Sequence, residues 1–368
     1  MFPKENLKSL TVDELEARMC ALGQPAFRGR QLFKWIHQRN ESDFTRMSDL
    51  SKAFREQLAA GFELPRVRVI EEHRSADGTI KFLVGLPDGE NVESVFIPSE
   101  RRNTLCVSTQ VGCKMACSFC ATGYQRFTRD LKAWEIVDQL SSLTFPKPVT
   151  NIVLMGMGEP FDNWDEVMRA LRIFQDPMGP KIGKRHITVS TVGITSKIQP
   201  FVDLNLGKLA ISLHGTTEEQ RQAIMPVNRK FPLQELMDTC RGLKWKVRGR
   251  VTFEYILMRD FNDSDADAHR LVALTRGIPC KINLLAYNEN TFVDLRRPDE
   301  DRVLAFQNIL LAAGLTATYR RSRGRDIAAA CGQLHFLAAG KKAAMRRPPA
   351  VPGIPAASSP ATSLSAAP

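Results

Sequence analysis

Three of the chain's eight cysteines fall in VGCKMACSFCATGY, where Cys113, Cys117 and Cys120 have the spacing CxxxCxxC. Three thiolates in one short loop form a soft, anionic donor set suited to iron or zinc. A structural zinc site wants four ligands, commonly as two separated pairs, and a catalytic zinc site more often uses histidine. None of the six histidines lies near this loop in sequence. Three thiolates can hold three irons of a four-iron, four-sulfur cluster, leaving the last iron open to a ligand and hence to chemistry. A structural metal with no chemistry remains the competing reading of these residues alone.

The loop follows TLCVSTQ, the first of several short β-rich runs. NIVLMGM, HITVSTVG, KLAISLHG, GRVTFEYIL, KINLLAYN and TATYRRSR come after it, with amphipathic stretches such as AWEIVDQLSSLTF and LQELMDTCRGLKW between them. Alternating strand and helix implies a parallel sheet and an α/β fold. Successive β/α units with no GxGxxG phosphate loop suit a partial or full barrel better than a dinucleotide-binding sheet. Working residues in a barrel lie at the carboxyl ends of the strands. The polar and glycine clusters QVGCKMAC, GMGEP, STVG, SLHG and AYNEN fall at such ends.

Ahead of the barrel, TVDELEARMCAL reads as a helix with Thr11 as N-cap and Glu14 completing a capping box. RGRQLFKWIHQ and SKAFREQLAAGF extend the helical pattern over residues 1–62. The middle helix sets Arg28, Arg30, Lys34 and His37 beside Phe33 and Trp35, a face suited to a phosphate backbone or simply a solvated basic side. RVRVIEEHRSADGTIKFLVGLPDGENVESVFIP alternates apolar and polar residues around two turns, ADG and PDG, and predicts a short antiparallel sheet over residues 63–102. The barrel with its C-terminal loop is expected over 103–340. The Ala-, Pro- and Ser-rich segment 341–368 is expected to be disordered.

A formal charge of +11 suits a polyanionic partner such as nucleic acid. The first residues, MFPKENLKSL, carry no apolar signal region, and no apolar run reaches the ~18 residues of a membrane span. A cytoplasmic protein acting as a monomer without a membrane partner is the expectation. Dilute cysteines in so long a chain point to metal binding or chemistry rather than a disulfide scaffold.

LCVSTQVGCKMACSFCATG, NIVLMGMGEPFDNW, ITVSTVGI, LAISLHG and GRDIAAACGQL occur in one order along most of the chain. Together they resemble the radical S-adenosylmethionine (SAM) enzymes and, within them, the RlmN-type methyltransferases. The resemblance implies a partial, TIM-like (β/α)6 barrel, one [4Fe-4S] cluster on Cys113, Cys117 and Cys120, and two SAM molecules per turnover. It implies methylation of carbon 2 of adenine in 23S ribosomal RNA and in tRNA beside the anticodon, with electrons from a flavodoxin-type donor.

Residue by residue, the resemblance implies SAM contacts at Gly158, Glu159, Ser190, Ser212, Leu213, His214 and Asn288. Cys331 matches the cysteine that accepts a methyl group from one SAM and is then attacked by a radical made from a second. Cys106 matches the cysteine that resolves the resulting enzyme–RNA adduct by a transient disulfide with Cys331. Glu93 matches a proton acceptor. Read without the resemblance, Cys106 and Cys331 are small buried hydrophobes and Glu93 is a solvent-facing strand residue. Cys20, Cys240 and Cys280 match no site of that family and read as structural. Arg320, Arg321, Arg323 and Arg325, and the run Lys244, Lys246, Arg248 and Arg250, are candidate phosphate contacts. LLAYNENTFVDLRRPDED departs from the family's usual loop around Asn288. ATGYQRF stands where many RlmN-type sequences have a more polar segment, and its ATG is also seen in Cfr-type proteins, which methylate carbon 8. The rival readings are that carbon-8 activity, a radical SAM enzyme with another substrate, and a non-catalytic metal-binding RNA-binding protein.

Overall fold

The computed structural model describes residues 4–247, 249–290 and 292–334. The expected disordered tail at 341–368 and Arg248 of the basic run lie outside the described residues.

Helix α1 spans Val12–Ala21, α2 Phe27–Phe33 and α3 Lys52–Gly61. The Thr11 capping box forms, with the Thr11 amide donating to Glu14 Oε2 at 2.8 Å. Helix α2 runs on as a π-helical turn over Lys34–Gln38, which turns His37 into the core. The basic face expected on this helix is therefore partly consumed internally: His37 packs on Phe33 at 4.6 Å and Arg30 pairs with Glu16. Lys8 and Asp138, both buried and 2.6 Å apart, tie this helical region to the barrel. Asp138 also accepts from the Val67 amide at 2.8 Å. Breaking a buried pair strands a charge, so Asp138→Ala should lose about 3 kcal/mol of stability. A denaturant titration that moves by less than about 1 kcal/mol would exclude that role.

Ten strands form one open sheet. In chain order they are β1 Arg68–Arg74, β2 Ile80–Gly85, β3 Asn91–Pro98, β4 Asn103–Val107, β5 Asn151–Leu154, β6 Ile187–Thr191, β7 Lys208–Ser212, β8 Val251–Leu257, β9 Cys280–Ala286 and β10 Ala317–Tyr319. Their spatial order follows their chain order. Strands β4 to β10 are parallel and β1 to β4 antiparallel. The expected antiparallel segment is thus continuous with the barrel sheet through the β3–β4 pairing, with Val95 opposite Cys106. This makes β3 an interior strand, and Glu93 is buried rather than facing solvent.

Helices α4 (Ala133–Ser141), α5 (Trp164–Gln175), α6 (Thr195–Leu204), α7 (Glu218–Ile224), α8 (Leu233–Arg241), α9 (Asp265–Thr275) and α10 (Glu300–Ala312) fill the crossovers. Short parallel strands joined by helices bring all seven strand carboxyl ends to one rim, the geometry of a (β/α) barrel left open at its edges. Among the described residues, no helix is long and apolar enough to cross a membrane.

Candidate active site

The loop after β4 carries the three clustered cysteines. Gly112, at φ +74°, starts it, because a Cβ there would meet the Arg126 carbonyl at 2.3 Å. Ala116 takes a left-handed φ of +53° between the first two cysteines, and the Cys120 amide closes a turn on the Cys117 carbonyl at 3.2 Å. These bends bring Cys113, Cys117 and Cys120 to the wall of a cavity of about 880 Å³, open mouth included, at the carboxyl rim of the strands.

Gly158, Glu159, Ser190, Ser212 and His214 line the same cavity from β5, β6 and β7, as does Cys331. Leu213 and Asn288 do not line it. Leu213 is a core residue whose amide donates to the Glu254 carbonyl at 3.0 Å. Asn288 is buried and its amide donates to the Cys331 carbonyl at 3.2 Å, so it holds the Cys331 loop.

The GMGEP turn is shaped by close approach. Gly158 has φ +97°, and a Cβ on it would lie 2.5 Å from the Gln110 side chain and 2.8 Å from its backbone nitrogen. Gln110 in turn accepts from the Glu159 amide at 2.9 Å. Gly158→Ala should therefore spoil this wall: if the cavity takes SAM as the resemblance implies, SAM binding followed by equilibrium dialysis should weaken at least about tenfold, as expected for a side chain forced into a positive-φ, sterically filled position. Unchanged affinity would remove Gly158 from the binding wall.

The Glu159 carboxylate accepts from the Phe161 amide at 3.0 Å and from the Val192 amide at 2.9 Å. Burial outweighs these bonds and pushes its pKa up to about 7. His214 is held down to about 3 by burial and is neutral. Its Nδ1 accepts from the Ile256 amide at 3.1 Å, which leaves Nε2 as the donor. Phe119 meets the His214 ring edge-on at 4.9 Å.

Glu254, on β8, lines this cavity and escaped the sequence reading. Its only sequence signal is one carboxylate inside the apolar run VTFEYIL. Asn283 donates to its Oε2 at 2.6 Å, and burial raises its pKa. Arg221 was missed too. It is fully buried, donates to Asn228 Oδ1 at 2.6 Å and exerts its positive charge on the Cys117 thiol.

A second, smaller cavity adjoins the first. Cys106, Arg320, Arg323 and Cys331 line it, so Cys331 belongs to both. Burial, and then the neighbouring Cys331, push the Cys106 thiol up to about 12. Burial also raises Cys331, opposed by Arg320. All eight cysteines are free thiols, and Cys20, expected to be structural, is exposed. Of the arginine cluster, only Arg320 and Arg323 reach this cavity, and Arg321 pairs with Glu300 at 2.7 Å.

The Cys331 loop is held from several sides. The Ala121 amide donates to the Gly332 carbonyl at 2.7 Å, fixing it to the cysteine loop. The β1–β2 turn reaches it from the far side, with the Gly324 amide on Asp77 Oδ2 at 2.9 Å and Ser75 Oγ on Asp326 at 2.7 Å. Glu93 lines neither cavity. Its carboxylate meets Lys81 Nζ at 3.1 Å, and Lys81 also reaches the Ala328 carbonyl at 3.4 Å, at the edge of the Cys331 loop.

Among the described residues, no three His, Cys, Asp or Glu side chains are arranged around one metal ion. The donor chemistry fits an iron–sulfur cluster nonetheless. Cys113 is pushed up to about 12 by burial, and Cys117 is raised further by burial and by Cys113 and Cys120. This wall thus gathers soft sulfur donors that burial keeps as neutral thiols, and a cationic iron group would favour their thiolate form and pair with it.

Comparison with known proteins agrees with this geometry. Residues 107–272 match the Radical SAM superfamily model, and residues 5–64 match the ribosomal RNA large subunit methyltransferase N-terminal domain. A barrel open at its edges with a three-cysteine wall at its carboxyl rim defines a radical SAM enzyme. "Dual-specificity RNA methyltransferase RlmN 2" of Myxococcus xanthus is 47% identical over 323 residues, covering 85% of each chain. The RlmN protein of Geobacter sulfurreducens is 45% identical, covering 89% of this chain and 91% of its own. The crystal structure of a radical SAM methyltransferase from Sphaerobacter thermophilus is 42% identical, with a TM-score of 0.83 over 90% of this chain and 99% of that one. The chain belongs to the RlmN family of radical SAM RNA methyltransferases.

Proposed function

We propose that this protein methylates carbon 2 of adenine in 23S ribosomal RNA and in tRNA beside the anticodon, carrying the methyl group first on Cys331. The observation that supports this reading is the position of Cys331, which lines both the cavity of the three clustered cysteines and the cavity of Cys106. Carbon 2 lies between two ring nitrogens and is too electron-poor to displace a methyl group from a sulfonium. Radical chemistry avoids that barrier.

Cys113, Cys117 and Cys120 would hold one [4Fe-4S] cluster, and Gly158, Glu159, Ser190, Ser212 and His214 would form the walls of the SAM site. Leu213 would contribute through its backbone, and Asn288 by holding the Cys331 loop. Bound there, the cluster and SAM supply the electron and the radical that takes hydrogen from a methyl group. Cys331 Sγ accepts that methyl by displacement from a first SAM, so each turnover uses two. The methylene would then link Cys331 Sγ to carbon 2 of the base, and Glu93 would accept the proton that carbon 2 sheds. The one electron left over on the ring would go back to the oxidised cluster, which lent one to start the sequence. The Cys106 thiolate attacks Cys331 Sγ: a sulfur–sulfur bond forms, the sulfur–carbon bond breaks, and the carbon keeps the electron pair and takes a proton. An external two-electron donor returns the disulfide to two thiols. In this reading the enzyme works as a cytoplasmic monomer, fed by a flavodoxin-type reductant. The target base must leave its stack to reach this depth, and Arg320 and Arg323 are the nearest candidates to hold its flanking phosphates.

Anaerobic incubation of cluster-loaded protein with SAM, reductant and unmodified 23S ribosomal RNA or tRNA, followed by nucleoside mass spectrometry, tests the reading. The expected product is 2-methyladenosine in both RNAs. Formation of 8-methyladenosine alone would move the protein to the Cfr-type chemistry.

A further inference from the structure

The run Lys244, Lys246 and Arg250 plays no part in the active site. It lies at the opposite end of the barrel. There a second large cavity opens among the amino-terminal ends of β6, β7, β8 and β9, lined by Lys184, Arg185, Lys208, Trp245, Arg250 and Lys281. Counting its open mouth, it encloses about 1600 Å³.

Its charge is nearly all of one sign. Burial and the charges of Arg102, Arg250 and Arg185 lower the Lys208 pKa, and burial with Arg250, Lys208 and Arg102 lowers that of Lys281. Glu254, further up the barrel, is the carboxylate whose field reaches Lys281. Among the described residues, none of Arg102, Arg185, Lys208, Arg250 and Lys281 forms an ion pair. A fold gains nothing from gathering repelling cations around an open cavity, whereas a polyanion there would relieve the repulsion and release counterions.

The walls also offer an apolar surface. Trp245 lies so close over Gly249 that a Cβ on that residue would meet the ring at 2.1 Å, and Val247 beside it is 56% exposed. Aromatic surface among phosphate-binding cations is the composition of a single-strand stacking platform. Strands of five to seven residues separate this mouth from the catalytic one. At about 3.3 Å per residue that is on the order of 20 Å, a distance a folded RNA spans easily.

We propose that this basic cavity is a second RNA site, which holds the sugar–phosphate backbone of a substrate segment remote from the target adenine. The choice of RNA over other polyanions rests on the RNA methyltransferase reading; the cavity and its charge do not. Such a site would let one enzyme hold large folded RNAs by their shape while a short loop enters the catalytic mouth.

The test uses the cluster-loaded full chain and the double variant Lys208→Gln/Arg250→Gln, whose side chains are exposed and carry no hydrogen bonds that the fold needs. Fluorescence anisotropy would follow binding of full-length tRNA and of a short anticodon stem-loop across a salt series. The variant should bind full-length tRNA about tenfold more weakly. Its salt dependence should fall by roughly 1.4 to 1.8 in log–log slope, the value for two lost phosphate contacts. Stem-loop binding and stem-loop methylation should not change. An unchanged tRNA affinity, or an equal loss for both RNAs, would overturn the proposal. Tight saturable binding of inorganic tripolyphosphate that the variant loses, with tRNA affinity intact, would reassign the cavity to a small anion and overturn it too. Failure of the wild type to methylate any RNA would instead count against the proposed function, since the binding comparison stands without turnover.

Discussion

Cys331→Ala should abolish RNA methylation, by more than about 1,000-fold in turnover, while leaving reductive cleavage of SAM measurable. Among the described residues Cys331 is the only thiol that lines both cavities, so in the proposed mechanism its removal leaves no place to park a methyl group between SAM and base. The rest of the cavity wall is intact, because Ala121 and Asn288 contact the loop through backbone atoms of residues 332 and 331. Liquid chromatography of the spent reaction would separate the two activities. Loss of both would point to a collapsed cofactor wall, and retention of both would exclude the carrier role of Cys331.

Cys106→Ala should stop the reaction one step later. With no second thiol in the small cavity, the carbon bridge between Cys331 and the RNA has nothing to break it, and a covalent protein–RNA species should accumulate to about one per enzyme. A denaturing gel shift removable by ribonuclease measures it. The same thiol sets a pH dependence. Burial raises Cys106 to about 12, so at neutral pH its thiolate is a small fraction that grows tenfold per pH unit. Where breakdown of the adduct limits turnover, the rate should rise with pH from 7 to 9 with a slope approaching one. A flat profile with no trapped species in the variant would remove Cys106 from the mechanism.

The parts of this site that were legible in the sequence are those where chemistry dictates spacing. Three thiols at CxxxCxxC with no histidine nearby limited the metal chemistry, and the glycine and polar clusters after each β-rich run marked the strand ends that form the rim. Legibility failed where burial depends on distant partners. Arg221 sits in EEQRQAI, a stretch of charged and amide side chains that carries no local sign of burial, yet it is fully buried against Asn228 and the Val192 carbonyl. His37 reads as part of a basic face, but the π-turn at Lys34–Gln38 rotates it inward. Glu93 reads as solvent-facing in an alternating strand, but both faces of β3 are covered, with Val92 to Phe96 all buried, and Glu93 meets Lys81 there. The turn ADG was visible as a turn. Its second use, Asp77 anchoring Gly324, joins residues 247 positions apart, and no local pattern encodes that.

The most direct test of the carrier mechanism is the isotopic mass of the product formed with SAM whose methyl group is fully deuterated. In the proposed mechanism one deuterium is lost when hydrogen is taken from the S-methyl group on Cys331, and the last hydrogen of the new methyl group comes from water when the Cys331 sulfur–carbon bond breaks. The 2-methyladenosine released should therefore carry two deuterium atoms. Three deuterium atoms would mean that the methyl group moved intact, and would contradict the roles of Cys331 as carrier and Cys106 as resolving thiol.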